Sequence, residues 1–132
     1  MRWLSLVLAL SAVVPAHGAS LRDMQLQKML EEVAVISSEG TPRAINEEIT
    51  DEGFTVDGKQ LVNILSVQPE YAKKLQGDPL VVRTQLQASV CANQRFRRLM
   101  DLGATLTYHF VLTESSQPVL TQHFIAEHCQ SL

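Results

Sequence analysis

The segments 105-TLTYHFVL-112 and 119-VLTQHFIAEHC-129, joined by 113-TESSQP-118, decide the fold of this 132-residue chain. Both are rich in β-branched and aromatic residues, alternate in polarity and flank a Pro-ended polar turn, which predicts an antiparallel hairpin. With the turn centred on Ser116, Leu106 pairs with Ala126, Tyr108 with Phe124, Phe110 with Gln122 and Leu112 with Leu120 on one apolar face. Thr105, Thr107, His109, Val111, Thr121, His123, Ile125 and Glu127 make the other face, with His109 opposite His123. Cys129 falls on that polar face by parity. To reach a helix-borne Cys91, the strand must end or bulge near Glu127-His128.

Working back from the hairpin, Asn93 re-caps the chain so that Gln94 to Leu102 forms a further helix or a bent continuation of the one before, and Gly103 supplies its left-handed stop. Phe96, Leu99, Met100 and Leu102 are its core candidates, and Arg95, Arg97 and Arg98 form a solvated charged face rather than an anion site. Asp78-Pro79 opens an earlier helix, whose Val82, Leu86 and Val90 step by four toward the core beside Cys91. Pro69 to Gln76 reads as a polar connection with at most one helical turn. Gly53 to Val67 is strand, broken at Asp57-Gly58 by either a tight turn or a bulge. Ala44 to Glu52 is a short helix or an irregular connection. Ser20 to Ser38 is an amphipathic helix with Ser20 as N-cap and Asp23 three residues on. These elements predict an α+β fold, with about three helices packed on one face of a small, mostly antiparallel sheet of three to four strands.

The N-terminus predicts export. Arg2, the apolar run Trp3–Val14 and the small-residue stretch Pro15-Ala16-His17-Gly18 have the order of a signal peptide over residues 1–18, cut between Gly18 and Ala19. Twelve apolar residues fall short of the roughly 20 that span a bilayer, so no stable membrane insertion is expected. Cleavage would leave residues 19–132 as a single small domain of formal charge −4, against −3 for the whole chain. Cys91 and Cys129, the only cysteines, lie far from the cut, so no lipid anchor follows it. In an oxidising compartment they are expected to form a disulfide, with a metal pair or two buried thiols as the alternatives.

The composition is 45% hydrophobic and 19% charged, too apolar for a disordered chain. The acid excess, without a basic block, excludes a phosphate-binding surface and hence a nucleic-acid partner. No nucleophile elbow, phosphate loop or H-E-x-x-H occurs, and Ser115-Ser116 is turn chemistry. Glu47, Glu48, Asp51 and Glu52 lack calcium-loop spacing and read as a solvated segment. The residues therefore predict no catalytic, cofactor or metal site. The alternative is a small metal-binding or hydrolytic envelope protein using His109 and His123, two ligands where a closed site needs about four.

The C-terminal half, C-A-N-Q-R-F-R-R-L-M-D-L-G-A-T-L-T-Y-H-F and then V-L-T-Q-H-F-I-A-E-H-C, resembles the quorum-sensing-regulated virulence factor family of short exported bacterial proteins. The resemblance is carried by the cysteine pair, Arg98, Leu99, Gly103, Tyr108 and the alternating hydrophobics. The turn Glu114-Ser115-Ser116-Gln117-Pro118 and the histidines His123 and His128 depart from the family pattern. The resemblance implies a secreted or periplasmic protein whose production is tied to cell density and host interaction. It brings no catalytic residues. The expected role is a non-enzymatic interaction protein, meeting a protein partner of the envelope or host through an exposed sheet face or edge.

Overall fold

The computed structural model describes residues 20–130; the expected leader and its cut between Gly18 and Ala19 lie outside the described residues. Three of the helices described start where a side chain satisfies an orphan N–H. Ser20 Oγ accepts from Asp23 N at the start of α1 (Leu21–Ser37). Asp78 accepts from Val81 N before α3 (Pro79–Ala92), and Asn93 Oδ1 from Phe96 N before α4 (Gln94–Asp101). Gly103, at φ +104°, ends α4 in a Schellman motif: Ala104 N donates to Leu99 O and Gly103 N to Met100 O. The segment Pro69 to Gln76, expected as a connection with at most one helical turn, lies in a full helix, α2 (Pro69–Gly77), started by Pro69 at its first position. The described residues thus form four α-helices, against about three expected.

The sheet has five strands in chain order: β1 (Arg43–Ala44), β2 (Ile49–Asp57), β3 (Gln60–Val67), β4 (Thr105–Leu112) and β5 (Pro118–Phe124). The segment Ala44–Glu52 is not a helix: it supplies the last residue of β1, an irregular bend over residues 45–48 and the start of β2. The break at Asp57-Gly58 is a tight turn, with Asp57 paired to Gln60 and Gly58 at φ +59°. Three of the pairings are antiparallel, but the central pair, β3 with β4, is parallel. A parallel pair needs a long crossover, and α2, α3 and α4 together supply it.

The helices cover one face. Leu26 and Leu30 of α1 and Leu99 of α4 are buried together with Leu61, Leu65, Leu106 and Phe110 of the central strands and Phe124 of β5. Phe96 of α4 meets Phe54 of β2, ring centroids 5.9 Å apart.

The β4–β5 register differs from expectation. Leu106 pairs with Phe124, Tyr108 with Gln122, His109 with Thr121 and Phe110 with Leu120, so each partner lies two residues earlier than a turn centred on Ser116 requires. Beside the turn a register irregularity adds one more residue, and Val111 pairs with Pro118. From Leu106 to Phe110 the shift is even, so those side chains and their partners keep their faces and only the neighbours change. The strand ends at Phe124, and a 3-10 turn over Ala126–Cys129 re-aims Cys129 to the helix side, where it is bonded to Cys91. Around that bond Gln87 Nε2 donates to His128 O (2.6 Å), and the Arg83 guanidinium sits over the Phe124 ring, 4.7 Å from its centroid.

Candidate functional site

The helix face is not wholly filled. Between α2 and α3 on one side and the β1–β2 turn on the other lies a crevice of about 300 Å3. Its floor is two neighbouring register pairs of the parallel strands, Asn63 with Tyr108 and Leu65 with Phe110. Tyr71 and Leu75 of α2 and Val82 and Leu86 of α3 form one wall, with Gln85 and Ser89 beside them; Ile45 and Ile49 form the other. The Val82, Leu86 stripe, expected in the core, is only half-buried because it walls the crevice; Val90, one step on, is fully buried. Asn46 shapes the opposite wall by accepting the N–H groups of Glu48 (2.8 Å) and Ile49 (2.9 Å), which turns the chain between Ile45 and Ile49.

Asn63 of the floor belongs to a buried polar knot. Asp51 Oδ1 accepts from Gly53 N and from Asn63 Nδ2, each at 2.9 Å, and its Oδ2 lies 3.7 Å from the Arg43 guanidinium. Asn63 Nδ2 also donates to Gly53 O (3.0 Å). Both amide hydrogens of Asn63 are thereby engaged, and its carbonyl oxygen remains as an acceptor. Tyr108 is 8% exposed, and no hydrogen bond from a described residue reaches its hydroxyl. Burial, with the Asp51 charge acting in the same direction, pushes that hydroxyl up to about 12. It is therefore held as a neutral hydroxyl in a mostly apolar cleft.

The acidic run of the sequence is thus divided. Glu47 and Glu52 are exposed, Glu52 accepting from Ser66 Oγ, whereas Asp51 is a buried structural carboxylate. It sits at a register shift between Asp51 and Gly53, where φ of Gly53 is +104°. Arg95, Arg97 and Arg98 are exposed, as expected.

The histidine pair is corrected. His109 lies opposite Thr121, not His123, and its Nδ1 is 2.9 Å from Thr121 Oγ1. His123 lies opposite Thr107, whose hydroxyl is 2.9 Å from His123 Nδ1 and donates to Gln60 Oε1. Among the described residues, no group of three or more His, Cys, Asp or Glu is placed to hold a metal ion. The edge strand β5 is also less open than expected, because Gln76 Nε2 donates to its Val119 carbonyl and Arg83 to its His123 carbonyl.

The architecture defines a class: small disulfide-linked α+β domains with helices over one face of a mixed five-stranded sheet. Two pilotins of type 2 secretion systems share the fold. The one from Vibrio vulnificus is 15% identical, with a TM-score of 0.67 over 83% of this chain and 96% of its own. The one from Vibrio cholerae is 18% identical, with a TM-score of 0.59 over 82% and 95%. The chain itself belongs to the family described as "Putative quorum-sensing-regulated virulence factor", whose model matches residues 19–130. A crystal structure of a "putative secreted protein" from Pseudomonas aeruginosa is 52% identical, with a TM-score of 0.81 over 86% of this chain and all of the other. No curated protein matches the sequence. The protein is accordingly secreted or periplasmic. Among the described residues no helix is long and apolar enough to cross a membrane.

Proposed function

We propose that this exported protein is a non-enzymatic binding module that holds an apolar segment of an envelope or host protein in the crevice between α2, α3 and the sheet. The observation that carries the reading is the crevice itself, a mostly apolar cleft of about 300 Å3 with the Tyr108 hydroxyl on its floor. A segment seated there would cover Val82, Leu86 and Ile45 and could offer a backbone carbonyl to that hydroxyl. The polar lining consists of amides and hydroxyls, groups that recognise rather than cleave. The pilotin likeness supports a role in protein assembly by analogy of fold alone. Residues 1–18 serve in this reading as the export leader, and production follows cell density as the family description suggests.

The test compares capture of envelope and culture-medium proteins by the wild-type protein and three variants, each checked by circular dichroism. Leu86→Glu should abolish capture. Tyr108→Phe should weaken it by roughly 2- to 10-fold, the worth of one neutral hydrogen bond. The double variant His109→Ala/His123→Ala should bind normally. Undiminished capture by Leu86→Glu, or loss in the histidine variant, would move the site away from the crevice.

A further inference from the structure

Helix α1 carries a second surface, remote from the crevice lining. Leu26, Leu30, Val33 and Ala34 of α1 are buried against the sheet and α4. Leu21, Met24, Lys28, Glu31 and Val35 recur at alternating steps of three and four and form one stripe on the opposite side of the helix. Its apolar members are far more exposed than a solvated helix face requires: Leu21 is 86% exposed, Val35 69%, Met24 58% and the adjoining Ile36 44%. Two adjoining shallow recesses run along the stripe. One lies beside Met24 and Lys28 against the Gly58-Lys59 turn, and the other runs from Lys28 to Ile36.

The order of groups along the stripe is apolar, basic, acidic, apolar. None of the ion pairs among the described residues involves Lys28, Glu31 or Glu32. Such an order is self-complementary only when reversed. We propose that this face of α1 is a self-association surface on which the α1 of a second copy lies antiparallel, about a two-fold axis crossing the helix between Lys28 and Glu31. Met24 of each copy then meets Val35 of the other, and Lys28 meets Glu31, every contact occurring twice as an isologous interface demands. A parallel arrangement would stack Lys28 on Lys28 and Glu31 on Glu31, so charge selects the orientation. Seventeen residues give a seam about 25 Å long, and a contact of that size suits a dimer with Kd on the order of 1–100 μM.

Sedimentation velocity on the protein exported to and purified from the periplasm tests this. The expected result is a monomer–dimer equilibrium across that concentration range. Met24→Glu/Val35→Glu, at exposed positions that leave the core intact, should raise Kd at least 10-fold. Lys28→Glu should weaken the dimer, and the exchange Lys28→Glu/Glu31→Lys should restore it to within about threefold, because the antiparallel pairs reform with signs reversed. A monomer at every concentration up to about 500 μM would overturn the proposal, as would a dimer indifferent to these changes. Failure of the exchange to restore it would overturn the antiparallel register.

Discussion

Tyr108 shows how one side chain serves both packing and recognition. Its ring lies edge-on to Phe124, centroids 6.1 Å apart, while its hydroxyl is desolvated and feels the charge of Asp51. Because the folded state raises its pKa to about 12 from 10.0, folding favours the protonated phenol. The associated stability is therefore fully present below pH 10 and lost as pH rises through 12. Wild-type protein should lose about 2 kcal/mol more unfolding free energy than Tyr108→Phe between pH 9 and pH 11.5, measured by urea unfolding. Equal losses would mean that the phenol is not desolvated. At this scale the sequence was legible where a residue acts on its own stretch of chain: Ser20, Asp78, Asn93 and Gly103 each cap as expected. Asp51 was not legible. Its partner Asn63 lies across a hairpin, and in sequence it is one acid among four.

Between elements, the joint of α1 with β2 is the most constrained. Ser38, at the C-cap of α1, donates from Oγ to Phe54 O (3.3 Å) and accepts Phe54 N (2.8 Å). Gly53 lies beneath it at φ +104°, and a Cβ added there would stand 2.9 Å from Thr41 Oγ1, itself held by a bond to Ser38 O. Gly53→Ala should therefore destabilise the protein by about 1–3 kcal/mol, read as a lower urea midpoint at unchanged slope. A midpoint equal to wild type would show that the joint yields freely. Hydrophobic period revealed most helices and strands, since it is a local property. It did not reveal α2, whose only buried side chains are Ala72 and Leu75. The parallel pairing of β3 with β4 was equally hidden, because three helices separate the strands and their individual patterns do not encode direction.

For the whole molecule, the Cys91–Cys129 bond closes a loop with a sequence separation of 38 and ties the end of α3 to the 3-10 turn behind β5. Constraint of the unfolded chain by such a loop is worth about 2–4 kcal/mol. Reductant should lower the unfolding free energy by that amount and raise the intact mass by two hydrogens; an unchanged mass would mean free thiols. The bond also steadies the wall of the crevice, since Val82 and Leu86 lie on the same helix as Cys91. The two cysteines were plain in the sequence, but the crevice was not. It is an opening among segments from β1 to β4, and alternation assigns its wall residues to the core.

Whether a protein segment occupies that opening is tested most directly by site-specific photo-crosslinking in cells that export the protein. A benzophenone side chain replacing Val82, on the crevice wall, should give one discrete adduct that disappears with Leu86→Glu. The same group replacing His109, on the opposite sheet face, should give none. Adducts of equal yield from both positions, or from His109 alone, would contradict the account.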